Sequence, residues 1–234
     1  MSLFKTTTLS CPACRADNAF ETAASVNADR RPDLRRAILD DEFQRLACQR
    51  CGTPLRVAPD FTLQDASRGL WIAALPLTEL ADWPAAEARV RATFDESFGP
   101  AASKGAQAIG EGLRLRVTFG WAALREKLAI AEAGLDDAVV ELAKALILKS
   151  GQPMPLERGT ELRFERVDDD QLVFSWLLAS DESPGPSLTL ARSVYDEIEA
   201  DLGEGGEGAW RGLQARLAAG PFVDIDRVLV AAPA

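Results

Sequence analysis

The sequence predicts an α+β protein. A small N-terminal ribbon, built from two CxxC turn hairpins with a short inserted helix, is packed on or linked to a mixed strand and helix body. Three observations carry this. All four cysteines of the 234-residue chain fall in its first quarter, as the pairs Cys11/Cys14 and Cys48/Cys51. Leu113, Leu115, Val117 and Phe119 alternate with polar residues, the period of a half-buried strand. Apolar residues on both sides of Gly134 recur at helical spacing, which reads as an antiparallel helical hairpin.

Taken in order, Lys5 to Ser10 reads as a strand into the first CxxC turn, and Ala19 to Val26 as the strand leaving it. Pro32 to Leu39 is a short helix with proline near its first turn. Phe43 to Ala47 leads into the second turn and Pro54 to Val57 leaves it. The run Leu70 to Leu75 is a buried strand, and Thr78 is placed to cap a turn of helix. A longer helix is expected from Pro84 to Ser97, ended by Gly99, then a loop rich in small residues from Gly99 to Gly112.

In the hairpin, Trp121, Leu124, Leu128 and Ala131 share one helical face, and Gly134 suits the helix end. Leu135, Val139, Leu142, Leu146 and Ile147 form the stripe of the second helix, which Asp136 and Asp137 open. Beyond Gly151-Gln152-Pro153, Glu161 to Val167 and Gln171 to Ala179 read as strands joined by Asp168-Asp169-Asp170. Ser180 to Pro186 reads as a loop. Helices are expected over Ala191 to Leu202 and Ala209 to Ala218, separated by the Gly203 to Gly208 loop, and a last strand over Val223 to Val230. The domain division this suggests is a ribbon head at 1–58, a mixed part at 59–150 and a C-terminal α+β region at 151–234.

Composition narrows the function. Apolar residues make up 47 % and charged residues 26 %, an ordinary globular balance. There are 26 Lys+Arg against 36 Asp+Glu, a formal charge of −10, unevenly spread: +2 over residues 1–58 and −12 over the rest. Histidine is absent, which excludes a Ser-His-Asp triad, a Cys-His dyad and any His metal ligand. No apolar run has the 18 or so residues a spanning helix needs, so no membrane role is expected. MSLFKTTTLS lacks the apolar region of a signal peptide, so a reducing cytoplasm is the expected setting for the cysteines.

Two CxxC turns thirty-three residues apart are specific. Each turn delivers two thiolates and aims backbone N–H groups at the sulfurs, and two turns complete a tetrahedral S₄ set suited to one Zn²⁺. Gly52 fits the positive-φ position that closes such a knuckle. Cys11, Cys14, Cys48 and Cys51 are therefore the candidate metal ligands. Iron is chemically allowed by four thiolates but lacks an electron-transfer companion here. A redox role for Cys-Pro-Ala-Cys is the competing reading, but it calls for one pair at a helix N-terminus.

Cys11-Pro12-Ala13-Cys14 with Cys48-Gln49-Arg50-Cys51-Gly52 downstream resembles the CpXC domain family of bacterial and archaeal proteins. The segment FGWAALREKLAIAEAGLDDAVVELAK, Phe119 to Lys144, is a softer match to the region after the ribbon in that family. The likeness covers about residues 5–150. It implies a zinc ribbon built into a mixed α/β domain and implies no activity. It leaves the C-terminal third unplaced.

The remaining candidates have simpler uses. Asp168–Asp170 reads as a solvated turn rather than a cation site. Glu132, Asp136, Asp137 and Glu141 read as a helix cap and exposed neighbours. Gly105 to Gly112 lacks the Lys-Ser/Thr of a phosphate loop, and Gly203 to Gly208 carries glutamates that repel phosphate. Trp71, Trp83, Trp121, Trp176 and Trp210 are scattered, as core residues are.

The expected function is a zinc-binding, non-catalytic protein-interaction or regulatory module. One alternative is a nucleic-acid-binding ribbon using Arg30, Arg31, Arg35, Arg36 and Arg50, with Arg45 and Arg56 nearby. Interleaved Asp29, Asp33, Asp40, Asp41 and Glu42 favour local ion pairs instead. A second alternative is an enzyme with a carboxylate site in the acidic body, on Glu126, Asp136, Asp137 or Glu141.

Overall fold

Strand β1 (Leu3–Ser10) turns at the first cysteine pair into β2 (Asp17–Asn27), pairing antiparallel with Ser10 opposite Asp17. The structure is a computed structural model that describes residues 2–151, 159–179, 182–204, 206 and 208–229. Gln152 and Pro153, Ser180, parts of the Gly203 to Gly208 loop, and Val230 lie outside the described residues.

After β2 come α1 (Pro32–Leu39) and the small hairpin β3 (Arg45–Ala47) and β4 (Pro54–Arg56), whose tip is the second cysteine pair. Strands β5 (Phe61–Asp65) and β6 (Leu70–Leu75) come next, then α2 (Trp83–Phe98), α3 (Lys104–Glu111) and β7 (Arg114–Phe119). The main sheet runs β1-β2-β5-β6-β7, with β2/β5 and β6/β7 parallel and the other pairs antiparallel. Leu70–Leu75 is buried at every position, which explains its unbroken apolar run. Phe43 and Trp121 pack edge-on and Phe61 completes the aromatic group, while the Trp121 Nε1–H donates to the Val57 carbonyl at 2.9 Å. That cluster ties the small hairpin to the sheet.

The chain continues through α4 (Gly120–Glu132) and α5 (Asp137–Lys149). Gly134 sits between them at φ +66°, and the Leu135 N–H donates to the Ile130 carbonyl at 3.1 Å. Asp136 caps α5, accepting from the Ala138 N–H at 2.8 Å. The expected helical hairpin is therefore present. A three-stranded antiparallel sheet comes after it, ordered β10-β9-β8, from β8 (Thr160–Asp168), β9 (Gln171–Leu178) and β10 (Pro184–Ala191). Helices α6 (Arg192–Leu202), α7 (Arg211–Leu217) and α8 (Asp226–Leu229) complete the described chain. Among the described residues, no helix is long and apolar enough to cross a membrane.

The residues divide into two compact units, 1–80 with 90–121, and 81–89 with 122–234. The core of the second gathers Leu142, Leu162, Phe164, Phe174 and Tyr195. Helix α5 is buried almost all round, Glu141 and Lys144 included.

Three expectations fail. Gly99 to Gly112 is not simply a loop: the Ser103 hydroxyl accepts the Ala106 N–H and starts α3 despite two glycines in the helix. The expected loop from Ser180 to Pro186 holds the start of β10, an edge strand, where proline costs no ladder hydrogen bond. Val223 to Ile225 is not strand. The Asp226 N–H turns back to the Asp224 carboxylate at 3.0 Å and leads into α8, because local Asx geometry replaces a sheet partner. Strand β5 is an element the sequence reading passes over.

Candidate metal centre

The two cysteine turns are local copies of one another. In the first, the Cys11 N–H donates to the Ala16 carbonyl at 2.9 Å and the Arg15 N–H donates to the Cys11 carbonyl at 2.8 Å. In the second, the Cys48 N–H donates to the Thr53 carbonyl at 2.9 Å and the Gly52 N–H to the Cys48 carbonyl at 2.8 Å. The residue after the second cysteine is left-handed in both, Arg15 at φ +58° and Gly52 at φ +72°. The sequence predicts the glycine in that role but not the arginine.

All four sulfurs lie within 4.8 Å of one another. Cys11 Sγ is 3.7 Å from Cys51 Sγ, and Cys14 Sγ is 3.6 Å from Cys48 Sγ. All four are free thiols, and the cross-turn spacings far exceed a disulfide bond of about 2.05 Å. Four sulfurs at about 2.3 Å from a tetrahedral centre lie about 3.8 Å apart, so the closest pairs already match a Zn-sized S₄ edge. Cys11 and Cys48 are buried with Leu55, and Phe20 and Leu46 pack beside them. Cys51 is exposed and Cys14 half-buried, so the cluster is dry on one side only.

The thiols are unequal. The backbone N–H of Cys51, and after it that of Arg50, favours the Cys48 thiolate and draws its pKa down to about 6. The Thr53 hydroxyl, 3.1 Å from Cys51 Sγ, lowers Cys51 as well. At Cys14 the Ala16 N–H favours the thiolate. Burial and hydrogen bonds with Cys51, Cys48 and Cys11 outweigh it and push the thiol up to about 12. A cation held by all four sulfurs would favour the thiolate throughout.

Asn18 joins the turns. Its amide donates to the Ala16 carbonyl at 2.8 Å, and its carbonyl accepts the Gln49 N–H at 2.8 Å. It is 1 % exposed. Nothing in its sequence neighbourhood separates it from any other strand-entry asparagine, so sequence reasoning misses it.

A family model described as CpXC protein matches residues 9–144, from the first cysteine turn into the buried part of α5. The chain belongs to the CpXC family. Comparison with curated proteins and with solved structures returned no match.

The arginines of the CpXC ribbon differ in burial and pairing. Arg35 is buried and pairs with buried Asp65 at 2.9 Å. Arg31 pairs with Asp33 and Arg36 with Asp40. Arg30 and Arg50 are exposed.

The carboxylates of the CpXC hairpin are a correction. Asp136 caps α5 as expected and Glu132 is exposed to a degree, but Asp137, Glu141 and Glu126 are buried, not solvated. Glu126 lies 2.6 Å from Lys144 and 2.9 Å from Arg163, and its carboxylate accepts the Phe164 N–H at 2.7 Å. Glu141 lies 3.1 Å from both Lys144 and Lys127 and accepts the Ile225 N–H at 2.9 Å. Burial opposes ionisation of Glu126, but Lys144 and Arg163 hold it below the usual carboxylate range. Burial keeps Glu141 above that range.

Carboxylate oxygens of Glu126, Glu141 and Asp224 come within 4.8 Å of one another, the spacing of a metal site. Ammonium and guanidinium groups of Lys144 and Arg163 already stand at those oxygens, so the donor set is matched by the chain's own cations. Asp168 ends β8, and Asp169 and Asp170 form an exposed two-residue turn, both at positive φ, as a hairpin requires.

Proposed function

We propose that Cys11, Cys14, Cys48 and Cys51 hold one structural Zn²⁺, and that the protein is a non-catalytic protein-interaction or regulatory module of the cytoplasm. The observation that carries the metal reading is the convergence of four sulfurs from two matched turns, with cross-turn pairs at 3.6 and 3.7 Å. Four thiolates saturate a tetrahedral ion and leave no position for water or substrate, so the ion holds the fold rather than performing chemistry. Its binding energy is folding energy for the ribbon.

Glu126 and Glu141 support a non-catalytic reading, because a lysine or arginine stands at each of them inside the core. A protein partner is favoured over nucleic acid by the ion pairs of Arg31, Arg35 and Arg36, which already neutralise much of the ribbon's positive charge.

The test has two arms. Elemental analysis of the purified protein should find one zinc per chain, lost in Cys14→Ser; iron in its place, or retained metal in the variant, overturns the site. Co-purification from the native host with and without nuclease should retain a protein partner. Partners lost with nuclease overturn the interaction reading in favour of nucleic-acid binding.

A further inference from the structure

The second unit carries an excess of buried negative charge around its C-terminal turn. Arg163 of β8 faces four carboxylates: Glu126 from α4, Glu161 from its own strand, and Asp224 and Asp226 from the turn before and within α8. Lys144 of α5 serves Glu126 and Glu141, and Lys127 serves Glu141 and Asp137. Six carboxylates therefore share three cations; the cations and Glu126, Glu141, Asp137 and Asp224 are almost wholly out of water, and Glu161 and Asp226 lie at the rim. An excess of negative charge in such a place is costly, and one relief is a proton on the partly exposed carboxyl with the weakest cation contact.

Asp226 is that carboxyl. Its nearest Arg163 nitrogen is 3.8 Å away, whereas Glu161 sits at 2.6 Å and Asp224 is in direct contact. Its side chain is 20 % exposed, so a proton can reach it. Burial, then the neighbouring Asp224 charge, raises its pKa to about 7 against the pull of Arg163, while Asp224 itself stays well below the usual range because Arg163 and Lys144 outweigh its burial.

The turn is also held by its neighbours: Phe222, Val223 and Ile225 are buried, and the Phe222 N–H donates to the Glu87 carboxylate at 3.4 Å. Ile225 N–H donates to Glu141 at 2.9 Å, Arg227 pairs with Glu87 and stacks 4.5 Å over Trp83, and Phe222 lies 5.7 Å from the same indole.

We propose that the segment Phe222–Leu229 is a proton-dependent clasp, seated on Arg163 while Asp226 is neutral and loosened when Asp226 ionises against Asp224 and Glu161. Linkage sets the sign. The seated form keeps a proton that the open form, with an ordinary aspartate near 3.9, has released. Opening therefore becomes about tenfold easier per pH unit between about 5 and 7, and levels above that. Seating is strongest on the acid side and lost as pH rises through the seated pKa.

Hydrogen exchange of the intact protein, read on peptides covering 222–229 from pH 5 to 8 and corrected for intrinsic exchange, tests this. Wild type should show an opening equilibrium rising about 50-fold from pH 5 to 7 and only about twofold more by pH 8. Asp226→Asn should be flat and about tenfold more protected than wild type at pH 5, where the open wild type has already released its proton. Glu161→Gln, which removes one repelling charge, should move the levelling point to lower pH. The carboxyl carbon shift of Asp226 should titrate with a midpoint near 7 in wild type, a readout that needs no variant to fold. A pH-independent wild type, an equal slope in Asp226→Asn, or a midpoint near 4 each overturns the proposal.

Discussion

Asn18 and Gln49, thirty-one positions apart, are joined by a 2.8 Å hydrogen bond from the Gln49 N–H to the Asn18 side-chain carbonyl. The same amide holds the Ala16 carbonyl, so one buried side chain fixes the two cysteine turns against each other. Sulfur placement then rests on the backbone rather than on metal alone. Asn18→Leu should leave the Gln49 N–H and the Ala16 carbonyl without that partner, at a cost of about 1–3 kcal/mol. The expected readings are a lower thermal midpoint and faster loss of the proposed metal to a chromogenic chelator. Asn18→Asp keeps the acceptor and loses the donor, and should fall between the two.

The left-handed residue of each turn separates backbone strain from packing. A Cβ on Gly52 meets nothing within 4 Å, so Gly52→Ala is charged only for its φ of +72°. A loss of about 1 kcal/mol in urea unfolding is expected. Arg15 already bears that strain at φ +58°, and Arg15→Gly should recover a comparable amount, reduced by glycine's extra chain entropy. Opposite signs at equivalent positions are the check; equal losses at both would show that side-chain contacts decide.

The cysteine turns are legible in the sequence because their determinants are local: two cysteines, flanking strands and, in the second turn, the left-handed glycine after them. The hairpin around Gly134 is legible for the same reason. The features that escape depend on distant partners. Helical spacing marks Leu142 and Leu146 as one stripe, but cannot say that Glu141 and Lys144 are buried too, because Arg163 and Asp224 arrive from far along the chain. The C-terminal turn reads as a strand from its apolar residues until the Ile225 N–H finds a carboxylate instead of a neighbouring strand.

Lys144 tests whether the buried charges act as a set. Lys144→Met removes the ammonium 2.6 Å from Glu126 and 3.1 Å from Glu141, and leaves one cation to each, Arg163 and Lys127. Urea unfolding should show a loss of about 3–5 kcal/mol. Adding Glu141→Gln removes one of the underpaired charges while keeping an acceptor for the Ile225 N–H, and should restore part of that loss. Simple additivity of the two losses would mean that Lys144 and Glu141 do not interact.

The turn between β8 and β9 offers a stabilising change. Asp168 pairs with Gln171, leaving Asp169 and Asp170 as a two-residue loop at φ +42° and +63°. Both residues are in the region that costs an L side chain about 1–2 kcal/mol, and like charges lie next to each other. Asp169→Asn with Asp170→Gly should keep the strand register and raise the unfolding midpoint by an amount matching about 1 kcal/mol. The ion pair between Arg166 and Asp168, at 3.3 Å, lies outside the two-residue loop and survives the change. Substitution therefore removes repulsion while that pair stays in place. A cation that binds wild type and not the double variant would instead identify the turn as a metal site. Equal melting curves with and without that cation are the outcome expected of a turn.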